Sequence, residues 1–185
     1  MDSTYMQAFA EGLAERGFRV ARFEFPYMNE RRQTGKKKPP NRAPVLLATW
    51  QTVIEHFGPR NLIIGGKSMG GRIASMSAVE NESSGQPVKG VVCLGYPFHP
   101  PGNFEKLRTE HLKKIKTPTL ICQGTRDTFG NQEDVSGYTL ANSIRYHWLE
   151  DGDHGFKPRK ASGLTEQENW DSAMNAIAHF AGGLK

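Results

Sequence analysis

Apolar side chains recur along this 185-residue chain in two rhythms, one of helical and one of strand period. Tyr5, Met6, Phe9, Ala10 and Leu13 fall on one stripe, which predicts a helix over residues 4–16 stopped by Gly17. Phe18 to Phe25 is aromatic and β-branched and predicts a strand running into Pro26. Val45, Leu46, Trp50, Val53, Ile54 and Phe57 predict a helix over 44–57, ended by Gly58-Pro59. A strand is expected over Leu62–Gly65, and a small-residue helix from Met69 to about Val79. Further strands are expected over Val88–Leu94, Thr119–Gln123 and Ser143–Leu149. Phe104, Leu107, Leu112 and Ile115 predict a short helix over 104–115. Another is expected over 132–142, weakened by Gly137, and a closing helix over 165–181 carries Trp170, Met174, Ile177 and Phe180 inward.

Strands alternate with helices, and several strands are apolar throughout. That combination predicts an α/β architecture, a mostly parallel sheet with helices on both faces. No linker or internal repeat divides the chain, so one domain over 1–185 is expected. Hydrophobic residues make up 37% and cluster in short runs, which excludes a disordered chain. The net charge of +5 implies weak attraction to anions and falls short of a nucleic-acid signature. Cys93 and Cys122 lie inside strand-like runs and are expected as buried, reduced thiols. Met1-Asp2-Ser3 opens no signal peptide and no window is long and apolar enough to span a bilayer, so a soluble, cytoplasmic protein is expected.

The chemistry concentrates around Gly66-Lys67-Ser68-Met69-Gly70, a G-x-S-x-G match between a predicted strand and a predicted helix. That context is what a nucleophile elbow requires: a sharp turn exposing Ser68 at the sheet's carboxyl edge, with glycines where backbones crowd. The amide of Met69, at the start of the next helix, is the expected oxyanion donor. A serine nucleophile needs a base, and the base an orienting acid, in the order Ser, acid, His. Of six histidines, His154 sits in the loop after the last strand, Glu150-Asp-Gly-Asp-His-Gly-Phe. Asp127 follows the preceding strand in Gln123-Gly-Thr-Arg-Asp, with Asp134, Asp151 and Asp153 as rivals. Asp151 and Asp153 lie too near His154 in sequence to reach its far ring nitrogen easily.

These segments, with Arg22-Phe-Glu-Phe-Pro-Tyr-Met and Leu94-Gly-Tyr-Pro-Phe-His-Pro-Pro, resemble a small bacterial α/β-hydrolase of the dienelactone-hydrolase-like branch. The resemblance runs over essentially the whole chain. It implies a three-layer α/β-hydrolase fold, with Ser68 as nucleophile, Asp127 as acid and His154 as base. Dienelactone hydrolases themselves use cysteine at the nucleophile position, so serine points to a general ester or acyl hydrolase. Relatives of this kind place a strand and a His-Gly-x-Gly loop before the first helix, whereas this chain opens at that helix. Either the start falls late within a longer enzyme, or the N-terminally short domain is genuine and lacks a second oxyanion donor, at a rate cost of about 10²–10³. The alternative is a catalytically impaired interaction module on the same fold.

Tyr27, Tyr96, Phe98 and His99 follow strand ends and are candidate lining for an apolar acyl pocket. The basic run from Glu30 to Arg42, including Lys36, Lys37 and Lys38, reads as a surface loop. No aromatic residues interleave with its charges for base stacking. No Cys/His cluster has metal-ligand spacing, and Gly65-Gly-Lys-Ser lacks the P-loop order. The expected partner is thus a small-molecule ester, without cofactor, metal, nucleic acid or membrane. An uncovered sheet edge would favour a homodimer.

Overall fold

The computed structural model describes residues 3–184. Its centre is a parallel sheet in the order β1 (Ile63–Lys67), β2 (Gly90–Leu94), β3 (Thr119–Gly124), β4 (Ile144–Leu149). Parallel strands bury both faces, because the crossovers lay helices over them. The alternation along β2 makes this explicit. Val91 and Cys93 join one core and Val92 and Leu94 the other.

The first core lies under α3 (Ala43–Phe57) and α4 (Met69–Ser83). Leu46, Trp50, Ile54, Ile73, Ala74 and Ala78 pack there against Ile64, Val91 and Ile121. The second lies under α1 (Thr4–Glu15) and α6 (Glu166–Gly182). Phe9, Met174, Ile177 and Phe180 pack there against Val92, Leu120 and Leu149. Ser3 caps α1, and Thr165 with Glu168 forms a capping box on α6. Among the described residues, no helix is long and apolar enough to cross a membrane.

Four local expectations change. Residues 18–25 form no strand: Phe25 is extended and buried, but the segment joins no ladder. A strand needs a partner for its backbone groups, and β1 is an edge strand of the described sheet. The basic segment begins as a helix, α2 (Pro26–Thr34). Proline opens it and Gly35, at φ 68°, closes it in the left-handed region. It escaped detection because it buries no residue and so carries no apolar stripe.

The helix expected over 104–115 reduces to a 3₁₀ turn at His111–Lys113. Phe104 and Leu107 supplied half of the apparent stripe, yet both are exposed; only Leu112 and Ile115 reach the core. The next helix, α5, is cut to Gln132–Ser136, and Gly137 ends it.

Candidate functional site

The carboxyl ends of β1, β3 and β4 deliver three side chains to one rim. Between β1 and α4, Ser68 adopts φ 53° and ψ −117°. Such a backbone is strained for any residue with a Cβ, by about 1–3 kcal/mol. The crowding falls on Gly66 and Gly71. A Cβ at Gly66 would stand 2.9 Å from the Gly70 carbonyl carbon, and one at Gly71 2.6 Å from the Gly66 oxygen. Gly70, the last glycine of the motif, would meet nothing within 4 Å. The strand therefore needs glycine at 66 and 71 to turn back so tightly, while position 70 faces open space.

Ser68 Oγ lies 2.8 Å from His154 Nε2, and His154 Nδ1 lies 2.8 Å from Asp127 Oδ2. Asp127 is fully buried, whereas a quarter of the His154 side chain is exposed. The buried carboxylate takes the Nδ1–H, which leaves Nε2 as acceptor for the serine hydroxyl. Phe129 covers the imidazole with its ring centroid 4.3 Å away. Met69 opens α4, so its amide belongs to the first turn, whose N–H groups have no intrahelical acceptor.

The rival carboxylates are occupied elsewhere. Asp134 closes the capping box of α5 with Asn131. Asp153 Oδ1 accepts from the amides of Gly155 and Lys157 and shapes the histidine loop. Asp151 accepts from Arg159, with Arg126 alongside. Hydrogen bonds from Arg159 hold its carboxyl down at about 2. This brace pins the base of the loop that carries His154.

Two residues that brace this rim escaped sequence reasoning. Gln123, fully buried at the end of β3, receives the Tyr96 amide at 2.7 Å on its oxygen. Its nitrogen donates to Asp127 Oδ2 at 2.8 Å and to the Gly130 oxygen at 3.0 Å. It fixes the acid against the turn that carries it. A glutamine in the apolar run Thr119-Leu-Ile-Cys-Gln was the available signal. The close approach of Gly124 helps: a Cβ there would stand 2.2 Å from the Gly152 oxygen in the histidine loop.

Lys67 is the second. Its Nζ donates to the His154 carbonyl and lies 5.1 Å from the Tyr5 ring centroid and 5.5 Å from that of Phe156. Burial pulls its pKa down to about 8, against the opposing pull of Asp127 and Asp153. Between pH 8 and 10.5 the unfolded chain holds a proton that the folded chain has lost, so this group makes stability rise with pH across that window. The size is about 3 kcal/mol. Lys67→Met should remove that rise and stabilise the fold at pH 7, while freeing the His154 carbonyl. Urea unfolding of both proteins at pH 7 and 10 checks this; parallel profiles would refute it.

The pocket candidates are placed differently from one another. Tyr96, Phe98 and His99 have no exposed surface and lie inside the protein rather than lining an open cavity. The Tyr96 hydroxyl donates to the Arg108 carbonyl, and Phe98 stacks at a tilt on Tyr96. Tyr27 is half-buried on α2, its amide donating to Asn41 Oδ1 at 2.9 Å. Two grooves, of about 520 Å³ between α3 and α4 and about 460 Å³ beside β4 and α6, include none of Ser68, Asp127 and His154 in their lining. Among the described residues, no three His, Cys, Asp or Glu side chains gather as metal ligands would. Both cysteines are free and buried.

Fold and rim together have the form of an α/β-hydrolase. The chain belongs to that family: the model of the alpha/beta hydrolase domain matches residues 1–182. Solved structures share the fold at low identity. An α/β serine hydrolase homologue from Coxiella burnetii is 16% identical with a TM-score of 0.67, over 97% of this chain and 76% of its own. A monoacylglycerol lipase from Paleococcus ferrophilus is 14% identical at 0.68, over 96% and 90%. An esterase from Pyrococcus furiosus is 15% identical at 0.65, over 99% and 76%.

Proposed function

We propose that this protein is a serine hydrolase that cleaves carboxylic esters or thioesters through an acyl-enzyme. The observation that carries the reading is the unbroken relay Ser68 Oγ–His154 Nε2, His154 Nδ1–Asp127 Oδ2, with 2.8 Å at each step. The esterase and lipase structures of the same fold support it.

Ser68 Oγ attacks the substrate carbonyl carbon as His154 Nε2 takes its proton. Asp127 stabilises the imidazolium that results. The negative oxygen of the tetrahedral adduct is held by the Met69 amide at the positive end of α4. His154 returns the proton to the leaving alcohol or thiol, and the acyl group stays on Ser68. Water then attacks the acyl-enzyme with His154 again as base. Serine, base and acid all lie on this chain, and the small-molecule substrate is the only partner the scheme requires.

A fluorophosphonate probe tests this directly. The folded protein should be labelled covalently, and Ser68→Ala should abolish the label. Absence of Ser68-dependent labelling in protein with a cooperative thermal transition would remove the hydrolase reading.

A further inference from the structure

We propose that Arg72 and Arg108 form an oxyanion-binding subsite beside Ser68, so that the substrates carry a carboxylate or phosphate group in addition to the scissile bond. The proposal rests on the hydrolase reading for its substrate, but not for the binding itself.

Ser68, Arg72 and Ser75 follow one another at i, i+4 and i+7 and so share one stripe along α4. The segment after β2 lies over that stripe. His111 Nε2 is 2.8 Å from Ser75 Oγ and 3.4 Å from the Tyr96 hydroxyl. Both hydroxyl protons are committed to carbonyls: Ser75 donates to the Arg72 oxygen and Tyr96 to the Arg108 oxygen. His111 therefore carries its proton on Nε2 and donates it to Ser75. Burial, with Arg72 and Lys114 nearby, holds its pKa at about 4, so it stays neutral at physiological pH.

Nothing in this cluster accepts from the two guanidinium groups. Arg72 Nε is buried without a hydrogen-bond partner. Burial and the adjacent Arg72 both pull the pKa of Arg108 down. Among the described residues, neither guanidinium has an ion pair or hydrogen bond. Arg16, Arg126 and Arg159, by contrast, are matched, Arg16 to Asp171 and Asn175, Arg126 and Arg159 to Asp151. Two like charges, half-buried and mutually repelling, are unfavourable unless an anion joins them. A planar guanidinium offers a paired donor fork suited to carboxylate and phosphate oxygens.

The spacing suits a bifunctional substrate. Four residues advance about 6 Å along a helix, and helical side chains lean toward the N-terminus, here toward Ser68. A carboxylate three or four carbons from the ester carbonyl spans that interval. The net charge of +5 favours such a substrate at long range.

The test measures binding and turnover separately. Glutarate and inorganic phosphate are titrated calorimetrically at low salt into Ser68→Ala, with Arg72→Gln or Arg108→Gln added in the same background. Each arginine substitution should weaken the preferred anion about 10- to 100-fold. The two ligands decide whether a carboxylate or a phosphate is the better fit. In the unaltered protein, kcat/KM for p-nitrophenyl hydrogen glutarate should exceed that for p-nitrophenyl valerate. That ratio should fall toward one as salt is raised, or when either arginine is replaced. Arg108→Gln and the salt series keep the test decisive if Arg72→Gln does not fold. Binding that ignores both arginines, or equal turnover of the two esters at all salt concentrations, overturns the subsite and leaves the hydrolase reading standing. Arginine-dependent binding without any Ser68 labelling sustains the subsite and removes the hydrolase reading.

Discussion

Replacing Ser68 by alanine is expected to lower kcat by about 10⁵–10⁶ while KM changes little. In the proposed mechanism the hydroxyl is the attacking atom, and among the described residues no other hydroxyl is hydrogen-bonded to His154 Nε2. The relay acts as one unit, so Ser68→Ala combined with His154→Ala should cost no more than either alone. A double variant much slower than both singles would mean that the residues act independently. The same position stores strain. Glycine accepts φ 53° freely, whereas alanine does not. Ser68→Gly should therefore be as inactive as Ser68→Ala yet more stable by roughly 1 kcal/mol. Thermal melts compare the two; an alanine variant that melts as high as the glycine variant would refute strain at the elbow.

Asp127→Asn is the second large effect, expected at about 10⁴ in kcat. Asp127 Oδ2 accepts from both Gln123 Nε2 and His154 Nδ1, each at 2.8 Å, and Oδ1 accepts from the Phe129 amide at 2.9 Å. Every contact on the carboxylate is thus a donor. Asparagine must turn its NH₂ toward one of these donors, whichever way the amide is flipped. With NH₂ at the Oδ2 position, Nδ1 becomes an acceptor and Nε2–H points at Ser68, so the base is lost. With NH₂ at the Oδ1 position, the part-buried Phe129 amide loses its acceptor. Either outcome costs about 1–3 kcal/mol of stability as well. Steady-state kinetics with a nitrophenyl ester, beside a thermal melt, checks both; a variant with near-normal kcat and an unchanged melt would remove Asp127 from the relay.

Much of this rim could be read from the chain because its geometry is local. A strand, a glycine-rich turn and a helix in immediate succession place Ser68 without reference to distant residues. Asp127 and His154 each follow a strand, and parallel strands end on the same edge, so the sheet converts chain order into proximity. Other features were not local. Residues 18–25 have a strand's composition, but a ladder depends on a neighbour that the segment's own residues do not specify. Phe104 and Leu107 have helical spacing, but only packing decides whether a stripe is covered. Tyr96, Phe98 and His99 follow the end of β2, while their direction, inward, depends on the loop folded above them.

The amino-acid sequence alone determined the alternation of strand and helix, the elbow and the order of the three relay residues. These rest on backbone sterics, side-chain period and chain direction, which act between near neighbours. Only the tertiary structure decided which groups brace the rim: Gln123 against Asp127 and Lys67 against the histidine loop. Those relations join residues far apart in the chain, and burial gives them their strength, because a charge or an amide removed from water must find its partner inside the protein.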